Sequence, residues 1–167
     1  MEIIDKSFIQ KPKYYILQSL LALVALLVIL SFVEVLTQAA IVAALGASSF
    51  IVFAMPRSIT ARPRRLIGGH AIGIICGLIC YSAFLTGPLG ELSGEHEFLL
   101  WFAYALSVAL SLFLMTITNT EHPPAAATAL GIVTYGYSWQ TVLFILLFAI
   151  GLAIVRRLLK AWLRDLI

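Results

Sequence analysis

The residues able to do chemistry in this chain are few, and they stand inside apolar sequence. The densest group is Asn119-Thr120-Glu121-His122-Pro123-Pro124-Ala125-Ala126. A residue before a proline is pushed out of helical geometry, so His122 and Pro123 are expected to be extended. Proline suits the first helical position, which predicts a helix beginning at Pro123 or Pro124. The two rings remove two donors, so the first open N–H groups would belong to Ala125 and Ala126. A helix start of this kind carries partial positive charge and favours an anion. His122, whose imidazole ordinarily titrates near neutrality, can pair with that anion or carry a proton. The plainer alternative has Glu121 and His122 in the headgroup region, with His122 capping the helix.

Two other groups are candidates for the same site. Gly46-Ala47-Ser48-Ser49 places hydroxyls within an apolar run, and Gly68-Gly69-His70 opens another. Ionisable residues inside a membrane are rare and mark pathways. Gly and Ser there also serve close helix packing, which is the competing reading. His96, between Glu95 and Glu97, reads as a solvated loop residue. Cys76 and Cys80 read as small buried side chains. The sequence holds no metal-ligand pair at helical spacing, no nucleophile–base set and no nucleotide loop, so no enzyme, metal or cofactor is expected.

The surrounding elements must be lipid-embedded. Hydrophobic residues make up 62% of the 167 positions, charged residues 11%, and mean hydropathy is +1.03. A soluble domain is about 25% charged, so the lipid bilayer is the expected partner and nucleic acid is not. One spanning helix needs about 20 residues, which predicts spans at 14–33, 36–55, 66–85, 98–117 and 141–155, with a tight turn and an interfacial Glu34 between the first two. The first run is too long for a signal-peptide core of about 7–15 residues. Every Lys and Arg falls in one of three clusters: Lys6, Lys11 and Lys13; Arg57, Arg62, Arg64 and Arg65; Arg156, Arg157, Lys160 and Arg164. The positive-inside rule puts all three in the cytoplasm. That parity requires 118–140 to cross as a broken span, giving six crossings.

The fold class expected is all-α: a polytopic transmembrane bundle of about six crossings, including the broken one. A 3+3 inverted repeat is hinted at by Ala43-Ala44-Leu45-Gly46 against Thr128-Ala129-Leu130-Gly131. The chain divides into a cytoplasmic segment 1–13, a bundle 14–155 and a basic cytoplasmic segment 156–167, in a bacterial inner membrane. Gly69, Gly73 and Gly77 form one small-residue face, and Ala103, Ser107 and Ser111 a weaker one. These faces can pack together or serve assembly, and a homo-oligomer is expected. The second Arg cluster either attracts anions to the inner mouth or only sets topology.

Glu121-His122-Pro123-Pro124-Ala125-Ala126-Ala127-Thr128-Ala129-Leu130 resembles the signature of the HPP family. Gly46-Ala47-Ser48-Ser49-Phe50 and Pro63-Arg64-Arg65-Leu66-Ile67-Gly68-Gly69-His70 resemble that family's other strong blocks, in the family's order. The chain departs from the pattern at Ile59, where proline is usual, and at Arg62, where glutamine is. The resemblance implies a small polytopic membrane protein with a transport role; plant chloroplast and cyanobacterial members are associated with nitrite. The function expected is therefore a transporter or facilitator of a small monovalent anion, nitrite first. Its substrate would meet Asn119, His122, Pro123, Pro124, Ala125, Ala126, Gly46, Ser48, Ser49 and His70 near mid-membrane. The alternative is a non-transporting membrane scaffold or sensor subunit.

Overall fold

A computed structural model describes residues 10–31 and 39–166. The turn near Glu34, Lys6 and Ile167 lie outside them. Within them the chain is helical, with no strand. Helix α1 spans Pro12–Ser31 and α2 spans Ala39–Ala54. A 3-10 turn, Ile59–Ala61, leads into α3, Pro63–Tyr81, which a π-helical turn, Ser82–Thr86, prolongs. A short α4, Gly90–Glu95, precedes α5, Glu97–Ile117; then come α6, Pro124–Tyr135, and α7, Trp139–Leu158.

Local chemistry sets these boundaries. Pro63 stands at the first position of α3 behind an extended Arg62, where its missing N–H costs nothing. Helix α5 ends in a Schellman turn. Asn119 takes the left-handed conformation with φ 58°. Its N–H donates to the Thr116 carbonyl at 3.3 Å, and Thr120 N–H to that of Met115 at 2.9 Å. At the other end of α6, Gly136 turns with φ 76°, and Ser138 Oγ then caps α7 by accepting from Thr141 N–H.

Helix α6 runs alongside α3 in the same direction. A Cβ on Gly69 would come within 2.6 Å of His122 Cβ, one on Gly77 within 2.8 Å of the Ala129 carbonyl oxygen, and one on Gly136 would meet the Tyr81 ring. Helix α7 then returns, and Arg156 Nε donates to the Pro56 carbonyl at 3.0 Å beside the start of α3. The His-Pro-Pro segment therefore opens a crossing helix and is not a loop that turns back. Six helices build the bundle, of which α3 with its extension, α5 and α7 are long and apolar enough to span by themselves. At 12 residues, α6 measures only about 18 Å.

The ends of the bundle differ sharply in charge. Among the described residues every Lys and Arg gathers where α1 starts, α2 ends, α3 starts and α7 ends. Glu91, Glu95 and Glu97 lie at the opposite end with α4. The residues after α7 are pinned to the basic end. Leu166 N–H donates to the Ala54 carbonyl, Tyr15 Oη to that of Leu166, and Arg164 N–H to Gln18 Oε1. Buried Gln18 in turn donates to the carbonyls of Phe53 and Arg164.

Both small-residue faces are buried within the chain. The glycine face of α3 seats α6, and Ala103, Ser107 and Ser111 are fully enclosed. Large side chains such as Phe50, Ile75, Phe113, Leu147 and Ile154 point outward, as a lipid-facing surface requires. The packed pairs are those expected of a 3+3 repeat. Exchanging α1 with α5, α2 with α6 and α3 with α7 maps each packed pair of these helices onto a packed pair, α2–α6 and α3–α7 onto themselves. The mates are unequal, because the glycine face draws α3 close to α6 while α2 and α7 meet more loosely.

Candidate functional site

Ser48 on α2 is the centre of a buried polar cluster. Its Oγ lies 3.0 Å from His70 Nε2 on α3 and 2.9 Å from His122 Nε2 in the α5–α6 connection. A third neighbour is the Ala44 carbonyl oxygen, one turn back at 2.9 Å. His70 Nδ1 lies 2.9 Å from Thr128 Oγ1 on α6, and His122 Nδ1 lies 3.0 Å from the Thr60 carbonyl oxygen of the 3-10 turn. The ring centroids are 5.3 Å apart. Ser48, His70 and Thr128 are wholly buried and His122 is 1% exposed. Two histidines from separate elements thus meet on one hydroxyl of a third inside an apolar bundle. Buried polar groups are costly unless hydrogen-bonded, and here each has a partner.

The placement follows from the local sequence. Gly69 leaves the space that the His122 stem occupies, and a Cβ on Gly73 would collide with the Ala125 carbonyl oxygen. The irregular stretch Thr120–His122 is tied down by α3. Arg65 grips both Glu121 and Asn119, and Arg64 Nη2 donates to the Thr118 carbonyl at 3.1 Å. His70 is the eighth residue of α3, so the cluster lies about 10 Å along that helix. Beyond it, toward the acidic end, Ile41, Ile132 and Val133 close the interior with apolar side chains.

Comparison with known proteins bears on what this arrangement is. Residues 9–165 match the family described as HPP, transmembrane region. The chain belongs to that family. The HPP chain is also 37% identical over 91 residues to a transmembrane protein of Dictyostelium discoideum, covering 54% of this chain and 28% of that one. A second transmembrane protein of the same organism is 35% identical over 86 residues, covering 51% of this chain and 24% of the relative. The chain thus spans about a quarter of the length of the curated relatives it matches. No solved structure matches it.

In this HPP-family bundle the sequence candidates part company. Ser48, His70 and His122 come together. Ser49 donates to the Leu45 carbonyl and, with Gly46, lines a separate groove of about 370 Å³ shared with Tyr15, Gln18 and Phe53. Asn119 stays at the rim, held by Arg65. Pro123 is exposed, while Pro124 and Ala125 are buried. Two expectations are corrected. Pro123 is not extended but helical, with φ −50° and ψ −39°. The N–H groups of Ala125 and Ala126 are not open, because they donate to the His122 and Pro123 carbonyls at 2.9 and 3.1 Å. Those two bonds close the first turn, which outweighs the steric bias of Pro124 on its predecessor.

Two participants escaped the sequence reading: Thr128 and the Thr60 carbonyl. Thr128 follows Ala125 by three and precedes Ile132 by four, so it shares the face that meets the glycine stripe. That spacing is the signal that could have found it. A backbone carbonyl leaves none.

Proposed function

We propose that this chain carries a small monovalent anion across the membrane, with nitrite the first substrate to test, through a site built on Ser48, His70 and His122. The observation that carries the reading is two histidines sharing one hydroxyl, buried at a helix break in an otherwise apolar bundle. Such residues inside a membrane mark ion and proton paths. With a proton added the pair becomes a cation, and a monovalent anion is its complement. Imidazole N–H groups and the Ser48 hydroxyl, rather than the Ala125 and Ala126 N–H groups, are the donors offered to it. Arg62 and Arg64 at the basic end would concentrate anions at the mouth. We take that end as cytoplasmic by the positive-inside rule, in a bacterial cytoplasmic membrane, and the protein as a carrier without catalytic chemistry.

The test is anion flux into proteoliposomes, comparing nitrite, nitrate, formate and chloride with and without a pH gradient. Nitrite-selective flux is expected, falling at least about tenfold in His122→Ala at equal reconstitution, the scale of a lost charged contact. Unchanged flux in that variant would remove His122 from the path. A second reading, a membrane scaffold or sensor subunit, is favoured by one observation: every polar atom of the cluster is already partnered. Absence of flux for all four anions with folded protein would select it.

A further inference from the structure

The contacts around Ser48 fix where the protons must sit. A carbonyl oxygen only accepts, so the contact with Thr60 requires hydrogen on His122 Nδ1. In a neutral ring His122 Nε2 is then bare and must accept. The Ser48 hydroxyl has one hydrogen, and only by giving it to His122 Nε2 does it avoid a lone-pair clash at 2.9 Å. Ser48 Oγ must then accept from His70 Nε2–H, since a second bare nitrogen would have no donor. His70 Nδ1 is left to accept from the Thr128 hydroxyl. With both rings neutral one polarised chain results, running Thr128 to His70 to Ser48 to His122 to Thr60. The two histidines hold opposite tautomers.

Adding one proton rearranges this chain without moving a heavy atom. Placed on His122 Nε2, the proton donates to Ser48 Oγ, which continues to accept from His70 Nε2–H. The hydroxyl hydrogen swings to the Ala44 carbonyl, 2.9 Å away. Serine's capacity of one donation and two acceptances is then filled, and all five contacts of the cluster are made. In the neutral arrangement the Ala44 contact is the one left unmade.

We infer that Ser48, His70 and His122 form a single site for one proton, with the Ser48 hydroxyl as the rotor that admits it. Charges facing the pair are few. Helix α2 and the 3-10 turn carry no titratable side chain. Helix α6 has only Tyr135, and α5 only Glu97 and Tyr104, all remote from the basic end. Helix α7 offers Arg156 and Arg157, and Arg156 is occupied by the Pro56 carbonyl. Helix α3 contributes Arg64 and Arg65, with Cys76, Cys80 and Tyr81 farther along. The adjacent carboxylate, Glu121, is held by Arg65. Among the described residues a bound proton therefore has no free carboxylate to balance it, and an unpaired charge in an apolar interior is costly. An anion entering with the proton supplies the balance. As a coupling site this rests on the transport reading and gives one proton per monovalent anion; as a proton site it does not.

The experiment is nitrogen-15 NMR of the imidazole rings in the full chain in lipid nanodiscs. The protein has three histidines, and a His96→Gln variant removes the remote one. Expected at neutral pH is hydrogen on Nδ1 of one ring and on Nε2 of the other, with His70→Gln assigning which. On acidification one proton is taken up by the pair before a second. Ser48→Ala should abolish the fixed opposite tautomers, and Ser48→Thr should restore them. The same tautomer in both rings of the wild-type chain, or two independent titrations indifferent to Ser48→Ala, would overturn the inference. If Ser48→Ala fails to fold, the wild-type tautomers alone decide. In proteoliposomes, the ratio of flux with an inward proton gradient to flux without one should fall toward unity in Ser48→Ala. Wild-type flux without any proton dependence would also count against it. If the wild type carries no anion, the transport reading fails, and the ring tautomers still judge the proton site.

Discussion

At the scale of single residues, burial without slack makes the cluster sensitive to isosteric changes. Thr128→Val keeps the shape of the side chain but removes the donor that faces His70 Nδ1. A buried acceptor left alone costs about 1–3 kcal/mol. The variant is expected to lower thermal stability in detergent by that amount, while Ser48 still holds His70 in its Nε2–H tautomer. An unchanged unfolding midpoint would show that another donor reaches the ring. His122 and Ser48 were legible in the sequence because polar residues stand out in apolar runs and a proline pair announces a break. The mutual contact of His70 and His122, 52 positions apart, was not, because it depends on how closely α3 and α6 approach. The donors expected of Ala125 and Ala126 failed for a local reason: a first turn that can close on itself leaves nothing open.

At the scale of helices, the approach of α6 to α3 depends on missing side chains. Gly73→Ala places a methyl group against the Ala125 carbonyl, and Gly77→Ala places one against Ala129 and Ile132. Overpacking of this kind costs about 1–3 kcal/mol. Both should destabilise the protein in detergent and, by lifting His122 away from Ser48, diminish flux. Gly46→Ala is the control, since nothing lies within 4 Å of its added carbon. It should be neutral or gain about 0.5–1 kcal/mol from reduced backbone freedom. The spans themselves were readable from hydropathy and length, to within a few residues at each end. Helix α4, the π-helical turn and the docking of the residues after α7 were not, because short elements are decided by tertiary hydrogen bonds rather than by periodicity. Gln18 is the clearest case, a polar residue in α1 whose purpose appears only once Phe53 and Arg164 are beside it.

At the scale of the molecule, the separation of charge makes a topological statement that labelling can check. Single cysteines at Lys11, Arg57 and Lys160 should react with an impermeant thiol reagent from one face of the membrane. A cysteine at Glu95 should react from the other. The native Cys76 and Cys80 are buried and should stay silent. Labelling of Lys11→Cys and Lys160→Cys from opposite faces would refute the six-crossing arrangement. Charge clusters alone predicted this parity, which is why the broken segment could be counted as a crossing before its helix was seen. The shortness of α6 carries one more consequence. Between Pro124 and Val133 none of its residues is exposed, so no lipid chain has to match its length of about 18 Å. Bilayers thinner or thicker than the usual 30 Å or so strain the helices that meet acyl chains, which here are α1, α2, α3, α5 and α7. His122, which leads into this inner helix sheathed by its neighbours, is insulated from hydrophobic mismatch, whereas His70 rides on α3.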